Sequence, residues 1–186
     1  MLRSLHVTTY SPEETRIVGA ALGPVVVPGD VISLNGDLGA GKTVLVQGLV
    51  TSLGVSGRVT SPTFTIVQEF DARYPIVHLD VYRLNSFQEL LDLGFEELLD
   101  PGAILLVEWG EAVAPLLPRR YLQVELRQAA DPDAEQEREI TFRPRGDEWW
   151  RKLEAMRDTA EALLGATAPE HAPAPRFSDA PRPRGS

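Results

Sequence analysis

Gly36-Asp37-Leu38-Gly39-Ala40-Gly41-Lys42-Thr43 follows the pattern G-x-x-x-x-G-K-[ST] without a gap. That pattern is built for phosphate. Its glycines let backbone N–H groups turn inward around anionic oxygens, and a helix beginning at its end adds a positive pole aimed at the same anion. Lys42 is suited to neutralise β- and γ-phosphates, and the Thr43 hydroxyl suits Mg²⁺, a hard cation that takes oxygen ligands and keeps most of its waters. The lysine stands out against its background. Of the 18 basic residues only two, Lys42 and Lys152, are lysines, and a compact ammonium fits inside a phosphate loop where a planar guanidinium does not. Asp37 is the odd member, because a carboxylate facing phosphate repels it. Its side chain is expected to point away from the phosphates or toward metal-bound water. The plain alternative is a glycine turn with an incidental lysine.

Nucleotide hydrolysis also needs an acid at a neighbouring strand end, to orient Mg²⁺ or the attacking water. Ile104-Leu105-Leu106-Val107-Glu108 is an apolar run ending in a carboxylate, and Val77-His78-Leu79-Asp80 is a weaker version of it. Ligands of open α/β sheets lie at the carboxyl ends of strands, so Glu108 and Asp80 would both emerge beside the loop; the plainer reading of each is a solvated strand-end acid. Ser61-Pro62-Thr63 follows the loop helix, where many such proteins keep a segment sensitive to the γ-phosphate. An ordinary turn into the next strand explains it equally simply. Trp109 is read as either stacking on a base or filling the core. His78, within an apolar run, reads as a packed structural histidine, and Trp149-Trp150 as the docking face of an amphipathic helix.

These residues need elements to hold them. Val31 to Leu34 reads as a buried strand, and Thr43 to Leu53 as a helix stopped by Gly54. Further strands are expected at Thr65 to Phe70, Pro75 to Asp80, Ala103 to Val107, Tyr121 to Leu126 and Glu139 to Phe142. Helices are expected at Pro12 to Leu22, where Ser11 and Glu14 form a capping box, at Ser86 to Leu91 and at Asp147 to Leu164. Strands interleaved with helices predict an α/β fold: a P-loop NTPase-type sheet, mostly parallel with antiparallel additions, covered by helices on both faces. Residues 1–164 would form this domain. Residues 165–186 contain five Pro, five Ala and one large apolar side chain, Phe177, a composition that predicts a disordered tail.

Composition narrows the class further. With 186 residues, 43% hydrophobic and 24% charged, the chain can bury roughly 70% of its unfolded surface without disulfides or structural metal. Zero cysteines exclude thiolate metal sites and cysteine nucleophiles. No run reaches the roughly 18 apolar residues of a membrane span, and a cytoplasmic location is expected. The net charge of −9 repels phosphate backbones, which argues against unassisted grip on nucleic acid. Residues 84–118 carry seven of the acidic residues and no Lys or Arg.

Taken together, GDLGAGKT at 36–43, SPTF at 61–64, HLDVYRL at 78–84, Leu93-Gly94 and VEW at 107–109 resemble the TsaE family over about residues 5–145. The resemblance implies a small Mg²⁺-dependent ATPase required for threonylcarbamoyladenosine in tRNAs that read codons beginning with adenine. By the same resemblance it would act with the TsaD and TsaB subunits of the threonylcarbamoyl transferase complex and meet tRNA indirectly, without modifying the base itself. By that resemblance ATP would be held by Asp37, Leu38, Gly39, Ala40, Gly41, Lys42, Thr43 and Val44, with Ser61, Pro62, Thr63 and Trp109 nearby. Thr43, Glu108 and Asp80 would serve the metal, and Lys42, Asp80 and Glu108 catalysis. Two other classes fit the loop alone: a small P-loop kinase, and a nucleotide-gated binding module with incidental hydrolysis. The Arg-free stretch 84–118 lacks the arginine-bearing lid that such kinases usually carry.

Overall fold

Branched apolar residues in short runs, buried on both faces, make the centre of the fold, as parallel strands under helices require. The computed structural model describes residues 3–57, 59–62, 66–82, 89, 92, 94–129, 134–167 and 176–181. In chain order these form β1 (Arg3–Thr9), α1 (Pro12–Ala20), β2 (Val31–Asn35), α2 (Lys42–Ser52), β3 (Val67–Phe70), β4 (Ile76–Asp80), α3 (Phe95–Leu98) and β5 (Ile104–Glu108). A 3₁₀ helix (Gly110–Leu116), β6 (Tyr121–Gln128), β7 (Arg138–Arg145), α4 (Asp147–Thr167) and β8 (Arg176–Pro181) follow. The expected helix at Ser86 to Leu91 falls almost wholly outside the described residues, as do Thr63 and Thr65.

Among the described residues the strands form one sheet in the order β3-β4-β5-β2-β6-β7-β1-β8. The core β4-β5-β2-β6 is parallel, and β3, β7, β1 and β8 add antiparallel pairings at its two sides. β2, β4 and β5 are buried along their whole length. One face packs under α1, α2 and α4, with Ile32, Leu34, Ile76, Ile104 and Leu106 in its core. Val77, Leu79, Leu105 and Val107 turn to the other face, where Phe95 of α3 and Val113 of the 3₁₀ helix cover them.

Local chemistry explains the helix positions. Ser11 Oγ accepts the Glu14 N–H at 3.2 Å and Glu14 Oε2 accepts the Tyr10 N–H at 2.7 Å, so the start of α1 is satisfied from both sides. α1 lies directly against α2. A methyl group at Gly19 would stand 2.0 Å from the Leu45 carbonyl oxygen, and one at Gly48 1.9 Å from that of Arg16. α4 docks through Trp149, Leu153, Met156, Ala160 and Leu164, a helical stripe buried in the same core. Lys152 anchors that helix with both Asp30 carboxylate oxygens 2.7 Å from its Nζ.

The chain beyond residue 164 departs from expectation. α4 runs on to Thr167, and Arg176–Pro181, expected to be disordered, pairs antiparallel with β1 as β8. The reason is twofold. Without β8 the outer N–H and C=O groups of β1 would form an open sheet edge. Phe177, opposite Val7 in the ladder, also packs against the core, so one apolar side chain and a row of backbone hydrogen bonds suffice to seat a Pro- and Ala-rich segment. Residues 168–175 and 182–186 lie outside the described residues.

Candidate functional site

The phosphate loop leaves β2 at Asn35 and enters α2 at Lys42. Gly36 has φ 135°, and a Cβ there would lie 2.2 Å from the Leu126 carbonyl oxygen. Gly41, which caps α2, has φ 102°. Both positions exclude ordinary side chains, one by contact and backbone and the other by backbone. Lys42 folds back over the loop it ends. Its Nζ donates to the carbonyls of Gly36 at 2.6 Å and Asp37 at 3.0 Å, and lies 4.1 Å from the centroid of the Trp109 ring. Burial pushes the Lys42 pKa below the ordinary lysine value, while Glu108, Asp80 and Asp37 oppose that shift. The ammonium is thus held by carbonyls, a π face and three nearby carboxylates.

Strand register brings the acids beside it. β4 and β5 run parallel with Asp80 opposite Glu108 and His78 opposite Leu106. Because side chains alternate, His78, Asp80 and Glu108 share the α2 face of the sheet. Thr43 Oγ1 donates to Glu108 Oε1 at 3.4 Å, and His78 Nε2 stands 3.0 Å from the same oxygen. Asp80 is engaged separately: Oδ2 accepts from Ser61 Oγ at 2.7 Å and Oδ1 from the Tyr82 N–H at 2.9 Å. Its own N–H donates to the Ile66 carbonyl at 2.8 Å. Ile66 has φ 66°, a left-handed conformation that costs a β-branched residue about 1–3 kcal/mol. Asp80 therefore holds both the beginning and the end of the 61–66 segment.

Trp109 follows Glu108 with φ 61° and donates its N–H to the Leu34 carbonyl at 2.8 Å. That turn swings its ring over Lys42 and to 4.8 Å from the Tyr82 ring.

Leu38 through Val44, Ser61, Asp80, Glu108 and Trp109 line one cavity of about 220 Å³. Asp37 instead lines an adjoining cavity of about 790 Å³, along with Glu111, Glu125 and Arg127. Pro62 is buried beside Ser61 without lining the smaller cavity, and its carbonyl accepts from Ile66 N–H at 2.7 Å. Thr63 lies outside the described residues. The oxygen set of Thr43, Glu108 and Asp80 is the hard donor chemistry Mg²⁺ takes when phosphate and water complete its shell.

Three residues at the site were not assigned to it from sequence. Tyr82 lies within HLDVYRL, so the motif held a signal for it. His78 reads from sequence as packing alone, since its bond to Glu108 depends on strand register across 30 residues. Arg138 carried no signal at all: from the start of β7 its guanidinium reaches the Gly39 carbonyl at 3.3 Å and the carbonyls of Glu135 and Glu137 at 2.6 and 2.9 Å.

A glycine loop between a buried central strand and its helix, with acids at the ends of the adjacent parallel strands, defines the class: a P-loop NTPase-type α/β protein. Comparison with known proteins makes this narrower. The family model for threonylcarbamoyl adenosine biosynthesis protein TsaE matches residues 9–140, and the chain belongs to the TsaE family. It is 40% identical over 149 residues to a Bacillus subtilis protein named tRNA threonylcarbamoyladenosine biosynthesis protein TsaE, covering 80% of this chain and 90% of that one. A Treponema pallidum protein of the same name is 38% identical over 131 residues, 70% of this chain and 97% of the other. The crystal structure of Bacillus subtilis YdiB superposes with a TM-score of 0.72 at 35% identity, covering 85% of this chain and 97% of YdiB. Among the described residues no helix is long and apolar enough to cross a membrane.

Proposed function

We propose that this chain is a Mg²⁺-dependent ATPase of tRNA threonylcarbamoyladenosine biosynthesis, one that acts on the threonylcarbamoyl transferase complex and leaves the base chemistry to it. The observation that carries the reading is the convergence of Lys42, Thr43, Asp80 and Glu108 on a glycine loop at the ends of three neighbouring parallel strands. Lys42 binds the β- and γ-phosphates, and the N–H groups from Leu38 to Val44 line the phosphate cradle. Thr43, Glu108 and Asp80 would together hold Mg²⁺ at the loop. When bound, the metal would offset negative charge on the phosphate oxygens, easing transfer of the γ-phosphoryl group to water with ADP as the leaving group. Asp80 orients the attacking water or a metal-bound one, and its hold on Ser61 ties the 61–66 segment to that task. Trp109 screens the Lys42 ammonium from bulk solvent, which strengthens its attraction for phosphate.

The partners are protein subunits, TsaD and TsaB, with tRNA reached through them. Charge supports this: a body that is negative overall, with seven acids and no Lys or Arg in 84–118, suits a basic protein surface better than a phosphate backbone. The decisive experiment is ATP hydrolysis by the purified chain with Mg²⁺, alone and with TsaB and TsaD, followed by tRNA modification with ATP and with a non-hydrolysable analogue. Turnover stimulated by the partners, together with modification that stalls on the analogue, is expected. No hydrolysis in either setting would overturn the ATPase reading, and sustained modification on the analogue would reduce the chain to a nucleotide-gated binder.

A further inference from the structure

His78 is fully buried, at 0% exposure, between apolar neighbours on β4. A residue needed only to fill that space would be aliphatic like Ile76, Val77 and Leu79. An imidazole there must satisfy two ring nitrogens. Nδ1 has no partner among the described residues, an expense that an isosteric apolar side chain would avoid. Nε2 does have one, and it is Glu108 Oε1 at 3.0 Å, inside the protein. An ionised carboxylate only accepts, so the tautomer that makes this bond carries its proton on Nε2 and leaves Nδ1 as a bare lone pair.

The bond has a direction that packing alone does not require. In the ladder His78 lies opposite Leu106, two residues before Glu108, and from there its ring comes within 3.0 Å of the carboxylate. Thr43 donates to the same oxygen. Among the described residues, therefore, both hydrogen bonds to the Glu108 side chain fall on Oε1, and the carboxylate rotation is fixed.

From this geometry we infer that His78 is a positioning residue for Glu108: its Nε2–H clamps Oε1 so that the other carboxylate oxygen is offered to Mg²⁺ and its waters at the phosphate loop. The inference rests on the ATPase reading, and it assigns His78 no contact with nucleotide. Outer partners of this kind typically set metal affinity by about 10- to 100-fold.

The test uses the full chain with His78→Gln, His78→Asn and His78→Leu. A Gln amide nitrogen reaches the position of Nε2; an Asn amide falls short of it. Affinity for ATP is measured with and without Mg²⁺, and thermal stability without ligand. His78→Gln should keep the wild-type gain in ATP affinity on adding Mg²⁺ to within about threefold, whereas His78→Asn and His78→Leu should lose about tenfold or more of it. Mg²⁺-free affinity should stay within about twofold of wild type in all three. Equal Mg²⁺ gains in wild type, Asn and Leu variants would overturn the inference. A measurement on the wild-type chain needs no variant to fold: nitrogen-15 spectra of His78 should show Nε2 protonated and Nδ1 bare, and the opposite tautomer would overturn the clamp. Absence of any Mg²⁺ effect on wild-type ATP affinity would count against the ATPase reading instead, and the tautomer would still decide whether His78 donates to Glu108.

Discussion

At the level of single side chains, the site separates groups that bind from groups that turn over. Lys42→Ala removes the only ammonium in the loop, and ATP binding followed by calorimetry should fall below detection. Glu108→Gln keeps the shape of the side chain and removes its charge. ATP affinity should stay within a few-fold of wild type while turnover drops about 10²-fold or more, the scale of losing one preorganised charged group. Near-normal turnover would remove Glu108 from the metal site. The lowered Lys42 pKa carries a sign that can be checked. The group binds phosphate when charged, so ATP affinity should weaken as pH rises through a value below that of a free lysine, 10.5. Glu125 provides the acid-side counterpart. Burial raises its pKa, but hydrogen bonds and charge from Arg143 and Arg127 outweigh this and hold it below the ordinary glutamate value of 4.5. Its contribution to stability is therefore complete above that value and lost as pH falls toward the folded pKa. Urea midpoints measured downward from neutral pH should fall more steeply in wild type than in Glu125→Gln.

At the level of elements, the close crossing of α1 and α2 fixes the tilt at which α2 presents Lys42 and Thr43. Gly48→Ala puts a methyl group into the Arg16 carbonyl. The helices must separate, with an expected loss of about 1–3 kcal/mol or more in denaturant unfolding, and weaker ATP binding should accompany it because the loop moves with its helix. An unchanged midpoint would show that the crossing yields freely. Which elements could be read from sequence follows from what marks them. β2, α2, β4 and β5 carry dense apolar runs ending in glycine or acid, and their sequence bounds agree with the structure to within a residue or two. β1 is not legible in the sequence, because Arg3–Thr9 offers only Leu5 and Val7 as large apolar residues on an alternating pattern. The 3₁₀ helix contains Pro115 and no helical stripe, so no periodicity announced it. Within the site, Lys42, Thr43, Asp80 and Glu108 were legible because each ends or follows a strong local pattern. His78 and Arg138 were not. Their partners are set by which strands become neighbours, and that order is a property of the assembled sheet.

At the level of the whole molecule, the site and the terminal strands occupy different parts of one sheet: Glu108 and Asp80 end β5 and β4, while β1 and β8 lie beyond β6 and β7. Removing residues 168–186 should consequently spare ATP affinity. It takes away the ladder on β1 and the partly buried Phe177, a loss of roughly 1–2 kcal/mol, which for a chain of this size lowers Tm by about 2–8 °C. A truncated chain melting with wild type would show that β8 contributes nothing to the fold. The same strand order governs how the molecule comes together. β1 precedes the other strands in the chain, yet its neighbours are β7 and β8, so more than a hundred residues are synthesised between it and its first partner. Until then both of its edges are open, and loop closure over that distance is slow. Folding of this protein should finish at β1, in its final step, after the strands that carry the phosphate loop have already paired.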